Sequence, residues 1–478
     1  MFDRRRGLLL GAAFLLAQCS SESAPATAPC VVGASQACAC IDGRTGAQTC
    51  NGAGFDPCVC GGTPDGGADA ADIGADTTTP PTDTATTPPT DTGGIDAPVD
   101  TGTDPGCGGI LDTHPDVYVD VGAAAGGKGG KTCAFKDIKT GLAQPLKGGV
   151  KRTVWVAAGT YLEAGLDVPT GVTLAGVGAA TYVSGTALCP EKGYAGDGND
   201  NCTIFVRNGG AVQGLKVNST LAGASGCAGG VGASGASISL RDIEINKASS
   251  YALVGNGPVD AINVTVRGGS GFGVLFRGTG VARIRSEAPG SSLIENVSTA
   301  SGIVVKQFVD LRLEGVVLQK NKSGGLTINS DNSVGPRSHE VTNCQFLDNC
   351  ISTPSPGNCH ALDLWYATAS LKVRGSTFQR NVGTAMRVYP STTTKIDLGT
   401  SADPGNNVFG GATTKDRNCV GVFGMATGAS GSIPAVGNAW AFCPPFQNTS
   451  ASCSLYSDIE YSGPAVNPFD ASSCKVGP

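Results

Sequence analysis

Five short segments share one alternating pattern: LRDIEI (240–245), INVTV (262–266), LEGVVL (313–318), VTNCQF (341–346) and VRGSTF (373–378). Their alternate residues pair as Ile243 with Ile245, Val264 with Val266, Val316 with Leu318, Cys344 with Phe346, and Ser376 with Phe378. A period of two puts each pair on one face of a β-strand. No single segment of this length buries a core, whereas stacked copies bury a continuous column. The spacing is irregular, with 28 residues from Val316 to Cys344 and 32 from Cys344 to Ser376, as loops inserted at coil corners would make it. Asn321, Asn349 and Asn381 each follow Gly315, Asn343 and Gly375 by six residues. Asparagine tolerates a left-handed bend, and stacked asparagines bond one another along a solenoid axis. A second strand follows each of them: GGLTINS, HALDLWY and TAMRVYP. Propeller blades run to about 40–45 residues, so the short strand–Asn–strand unit favours a solenoid.

Composition agrees. The 478 residues include 72 glycines, 6% aromatics and only 15% charged residues, where a helical chain would be richer in Leu, Glu and Lys. The expected class is all-β, a right-handed parallel β-helix over residues 107–478, with a less regular C-terminal cap from about 399 that covers the open strand edge.

The start of this domain reads VYVDVGAAAGGKGGKTCAFKDIKTGL (117–142), then TVWVAAGTYLE (153–163) and VPTGVTLAGVG (168–178). These motifs resemble the opening of a domain family of unknown function common in pectin-lyase-like surface proteins. The resemblance implies a strand over Val117 to Val121, a glycine loop, and a short capping helix with Phe135, Ile138 and Leu142 on one face. Val154, Val156 and Tyr161 would begin the first coil.

The N-terminus, MFDRRRGLLLGAAFLLAQC, has Arg4 to Arg6 before an apolar run from Gly7 to Ala17. The run is shorter than the roughly 20 residues a membrane helix needs and reads as a cleavable export signal over residues 1–18. Leu16-Ala17-Gln18-Cys19 resembles a bacterial lipobox, departing from it at Gln18. That resemblance implies lipidation of Cys19, a tether over 19–29 and, with Ser20 next, an outer-membrane or cell-surface location. Ordinary secretion with cleavage after Ala24 or Ala26 is the alternative.

If Cys19 carries lipid, 18 of the 19 cysteines remain, six in residues 30–60 and twelve beyond 106, both even, as disulfides require. CVVGASQACAC (30–40) and CNGAGFDPCVC (50–60) repeat one spacing, so Cys30, Cys38, Cys40, Cys50, Cys58 and Cys60 are expected to cross-link a module with little core of its own. Zinc is the rival reading, and this stretch has no histidine. Residues 61–106 hold nine Asp and no Lys or Arg, with TTPPTDT at 78–84 and 86–92. Such a segment packs no core, stays extended, and spans about 140 Å when stretched as polyproline II. No basic stripe marks a nucleic-acid partner.

Catalytic signatures of the pectin-lyase fold are absent from the sequence: no Gly-His-Gly with Asp clusters and no Trp-Ile-Asp-His. The three histidines, His114, His339 and His360, have no metal-ligand spacing. The best constellation lies on the second strands of two coils. Registering Leu362 and Leu364 with Met386 and Val388 inward leaves Asp363 and Arg387 outward, about 4.8 Å apart. Trp365 and Tyr389 follow two residues along, and His360 starts the strand. An exposed aromatic pair beside a charged pair suits a sugar ring; as ladders they would equally support the sheet.

CPEKGYAGDGNDNC (189–202) has Asp197, Asn199 and Asn201 at alternate positions, as Ca²⁺ loops do, without the EF-hand's Gly and terminal Glu. A surface loop closed by Cys189 and Cys202 is the preferred reading, and no cofactor or metal is expected. Cys350 with Cys359 would close a second loop. Cys419, Cys443, Cys453 and Cys474 would staple the cap, and Cys344 would be an inert inward thiol. The functional expectation is a lipid-anchored surface protein binding glycan or another surface without catalysis. A polysaccharide lyase or glycoside hydrolase, and a structural coat component without ligand, are the alternatives.

Overall fold

The computed structural model describes residues 116–146, 151–185, 202–219, 229–306, 308–329, 337–351, 360–365, 369–382, 384–389, 394–410 and 433–440. It also describes the backbone of short strands at 35–39, 45–49, 420–422, 447–448, 459–461, 469–470 and 475–476. The chain divides into two units, residues 1–90 and 91–478. In the first, Ser35–Ala39 pairs antiparallel with Thr45–Thr49, setting Cys38 opposite Gly46.

The second unit is a right-handed parallel β-helix, the class expected from the sequence. One sheet of twelve strands among the described residues runs from Leu166–Val168 through Gly324–Asn329, His360–Trp365 and Thr384–Tyr389 to Gln447–Asn448. Its neighbours are parallel throughout the central coils, with Leu326 beside Leu362 and Leu362 beside Met386. The remaining strands form a bent sheet on the other sides of the coil. Early coils give it one long strand each, such as Ile238–Asn246 and Val259–Arg267. Later coils give it two short ones, such as Arg337–Thr342 and Gln345–Leu347.

A left-handed corner is common to both kinds of coil: Gly214 (φ 62°), Asp242 (φ 51°) and Asn263 (φ 54°) make it inside the long strands. Gly315 (φ 67°), Asn343 (φ 53°), Gly375 (φ 58°) and Asn406 (φ 50°) lie in the left-handed region at the same corner of successive coils. Gly and Asn enter it at the least cost. LEGVVL, VTNCQF and VRGSTF are two strands around this corner rather than one. The inward pairs hold after it, where Val316, Leu318, Cys344, Phe346, Ser376 and Phe378 are all fully buried, and Leu313, Val341 and Val373 are buried just before it.

Asn321, Asn349 and Asn381 form the expected ladder. Asn321 Nδ2 donates to Asn349 Oδ1 (3.1 Å), and Asn349 Nδ2 to Asn381 Oδ1 (3.0 Å). They do not make the left-handed bend, which corrects that part of the expectation. The residue before each one does: Lys320 (φ 54°), Asp348 (φ 53°) and Arg380 (φ 52°). The bend turns these long charged side chains outward, where Arg380 pairs with Asp348 at 2.8 Å. It turns the following asparagine inward, to satisfy backbone groups that the corner strips of sheet partners. Asn349 Nδ2 also bonds Leu318 O (2.9 Å), and its Oδ1 accepts from Asn321 N (3.2 Å).

Inside the coil, Phe346, Phe378, Phe409 and Trp440 stack on successive rungs with ring centroids 4.6, 5.2 and 4.6 Å apart. The rung repeat of a parallel sheet, about 4.8 Å, sets that offset-stacked spacing. At the other end, the helix Ile138–Leu142 packs Phe135, Ile138 and Leu142 on the first coil, as expected. Asp137 caps it by accepting from Thr140 N (2.7 Å), and Glu163 takes Ile138 N and Lys139 N (2.7 and 2.9 Å). The strand ahead of it is Asp116–Val119, ending two residues before the expected Val121.

Candidate functional site

Two outward surfaces of the β-helix carry chemistry-bearing side chains. The first is the face proposed from sequence. The register is the expected one, with His360 beside Thr384, Asp363 beside Arg387 and Trp365 beside Tyr389 on parallel strands. Leu362, Leu364, Met386 and Val388 point into the core.

The exposure is not the expected one. Asp363 is only 6% exposed and Arg387 5%. Arg387 Nε and Nη2 bond both oxygens of Asp363, at 2.9 and 2.7 Å. Trp365 Nε1 donates to the same carboxylate, and its ring lies under the guanidinium, 4.8 Å from centroid to Cζ. Bidentate pairing and cation–π stacking are what a desolvated guanidinium requires. Asp363 and Arg387 are buried and bonded to each other, so the expectation of an open sugar platform is corrected to a buried clamp. Tyr389 contributes backbone here; its side chain lies outside the described residues, as does Cys359.

His360 starts the same strand, 3% exposed, with Nδ1 bonded to Thr384 Oγ1. Desolvation by burial, with the Arg387 charge adding to it, pulls its imidazole down to about 3. It is a neutral ring at physiological pH. His339 faces the interior of the coil, 1% exposed, and accepts Leu311 N through Nδ1 (3.3 Å). Burial pulls it to about 4, against a partly offsetting Asp310.

The second surface is an open groove of about 310 Å³ on the bent sheet, lined by Arg312, Ser338, Glu340, Ser370, Lys372 and Lys395, with Asp397 at its end. The strands Phe308–Glu314, Arg337–Thr342, Ala369–Arg374 and Lys395–Asp397 each present one charged residue at a shared outward register: Arg312, Glu340, Lys372 and Asp397. Ser338, Ser370 and Lys395 form a second column two residues earlier. Arg312 Nε stands 3.7 Å from Glu340, and Lys372 Nζ 2.8 Å from Asp403. These side chains remain partly solvated, with Arg312 31% and Lys372 42% exposed. Polar residues alternating with apolar ones read as an ordinary solvated face, so the sequence reading passed over this groove. The signal that marks it is the succession of charges at one register position on consecutive coils.

The cysteines also settle. Cys344 is a fully buried thiol, pushed by burial up to about 12, with Sγ against Thr342 O. Cys133 and Cys350 are each half of a disulfide. Cys202 is a buried thiol, not the half-cystine expected with Cys189. Its Sγ lies 2.6 Å from where a Cβ on Gly232 of the next rung would stand, so the absence of a side chain there leaves room for the sulfur. Cys189 and Asp197, Asn199 and Asn201 lie outside the described residues. So do Cys19, Cys30, Cys40, Cys50, Cys58, Cys60, Cys419, Cys443, Cys453 and Cys474, together with the side chain of Cys38. Among the described residues no group of three or more His, Cys, Asp or Glu is placed to hold a metal ion, and no helix is long and apolar enough to cross a membrane.

No family model matches the chain, and no curated protein sequence is similar to it. Among solved structures it is similar to the A-module of the Azotobacter vinelandii mannuronan C-5 epimerase AlgE6. The identity is 13%, covering 71% of this chain and 94% of that one, with a TM-score of 0.37. It is also similar to a pectin methylesterase from carrot (14% identity, 60% and 82% covered, TM-score 0.31). A third is the pectin methylesterase PemA from Erwinia chrysanthemi (12%, 59% and 80%, 0.28).

Proposed function

We propose that this chain is an exported, lipid-anchored surface protein whose β-helix holds a linear glycan in the lateral groove without transforming it. One observation carries the reading: the groove sets a charged side chain at one register position on each successive rung. Arg312, Glu340, Lys372 and Asp397 stand in one column, Ser338, Ser370 and Lys395 in the next. The rung repeat, about 4.8 Å, is close to the length of one pyranose unit in an extended chain. A polysaccharide laid along the solenoid axis then meets a charged side chain at every unit, donor and acceptor in alternation. Charged groups already held by neighbours, as Lys372 is by Asp403, keep their geometry when a ligand arrives, which lowers the ordering cost of binding. The lipid anchor at Cys19 and the Asp-rich segment 61–106 suit presentation away from a membrane.

A glycan array followed by titration tests this. Ser370→Trp, which fills the middle of the groove, is expected to lower glycan affinity at least tenfold with the melting temperature preserved. Trp365→Ala in the buried clamp leaves the groove intact. Release of shortened or unsaturated products from the bound glycan would overturn the non-catalytic reading. Cys19→Ser is expected to move the protein out of the membrane fraction, and persistence there would overturn the anchor.

A further inference from the structure

The outward column that floors the groove continues beyond it. In order along the axis it reads Asp260, Arg283, Arg312, Glu340, Lys372 and Asp397. Every neighbouring pair has opposite signs except one, Arg283 with Arg312. Like charges directly across a strand pair are unfavourable, and sheets ordinarily avoid them.

The acids nearby do not repair the fault. Asp260 pairs with Arg285 (3.7 Å). Asp310 accepts from Ser338 N (2.8 Å). Glu314 stands beside Arg285, in the next column. Arg312 turns away from Arg283, giving Nη1 to Ser338 O (3.1 Å) and Nε toward Glu340. Arg283 is left exposed, with no ion pair among the described residues, beside Val281, which is 42% exposed. Arg312 is also the residue at which the groove ends.

We infer that Arg283 and Arg312 form an oxyanion subsite at the N-terminal end of the groove, taking a carboxylate or phosphate carried by the bound chain. Arg283 presents a planar donor pair, the geometry that both anions accept, and Arg312 one rung on adds a second positive charge while its own donors stay with Ser338 and Glu340. An anion between them restores the alternation of sign that the rest of the column keeps. The inference rests on the groove reading for the polymer, while the anion requirement is carried by the arginine pair alone.

The test uses the full chain and three tetrasaccharides with one backbone: neutral, carboxylated and phosphorylated. Isothermal titration at low salt is expected to give at least tenfold tighter binding for one or both anionic forms. Arg283→Gln should remove most of that preference, and Arg283→Glu should reverse it. Raising the salt to 0.5 M should shrink the preference, because an exposed pair is screened. Which anionic form wins identifies carboxylate or phosphate as the group recognised. Equal binding of all three forms, no binding of any, or an unchanged preference in Arg283→Gln overturns the subsite. Loss of preference in Arg283→Gln combined with indifference to Ser370→Trp keeps the subsite and rejects the groove. Arg283 is exposed, so its variants should melt with the parent protein.

Discussion

Asp363→Ala is expected to destabilise the β-helix by about 3–5 kcal/mol, the usual cost of leaving a buried charge without its partner. Arg387 is 5% exposed, and Asp363 accepts two of its hydrogen bonds and one from Trp365. Removing the carboxylate takes two hydrogen bonds and the opposite charge from a buried guanidinium. The double variant Asp363→Leu/Arg387→Met should recover most of the loss, since a well-packed apolar pair often equals a buried ion pair. Chemical denaturation of the three proteins at one pH measures this. If Asp363→Ala melts with the parent while glycan binding disappears, the clamp is the ligand site and the groove is not.

Acid is expected to unfold this domain earlier than its carboxylates alone would require. His339 and His360 are held neutral by burial, at about 4 and about 3 in the folded chain against 6.5 when free. A depressed folded value means that the unfolded state binds the proton first. The stability these groups contribute is complete above pH 6.5. It falls as the pH drops through the window down to about 4 for His339 and about 3 for His360. By pH 4.5 each should cost about 2–3 kcal/mol. His339→Leu, placed among the inward Leu311 and Leu371, should abolish its share of the pH dependence and flatten the curve between pH 6.5 and 4.5. A variant with the parent's pH slope would show that His339 is not the neutral buried ring.

The two effects separate by salt and by pH. A buried ion pair is little screened, so the loss in Asp363→Ala should persist in 0.5 M salt. The histidine effect disappears at pH 8, where both states are neutral.

The period-two alternation determined the fold, because apolar residues at every second position of short, Gly- and Asn-punctuated segments leave stacking as the only way to bury them. It determined the inward residues of both coils that flank the clamp, and the pairing of Asp363 with Arg387. It determined the ladder of Asn321, Asn349 and Asn381, since residues six after a shared corner must stack. Sequence spacing says which side of a strand a residue takes, but not what lies over that side. Burial of Asp363 and Arg387 was therefore decided by the tertiary structure, and with it the change from open platform to buried clamp. The same holds for the left-handed residue at each corner, which fell to Lys320, Asp348 and Arg380 because only an inward asparagine reaches the unpaired backbone. The groove is also tertiary: its charges are 25 to 32 residues apart in the chain and become neighbours only through the rung register.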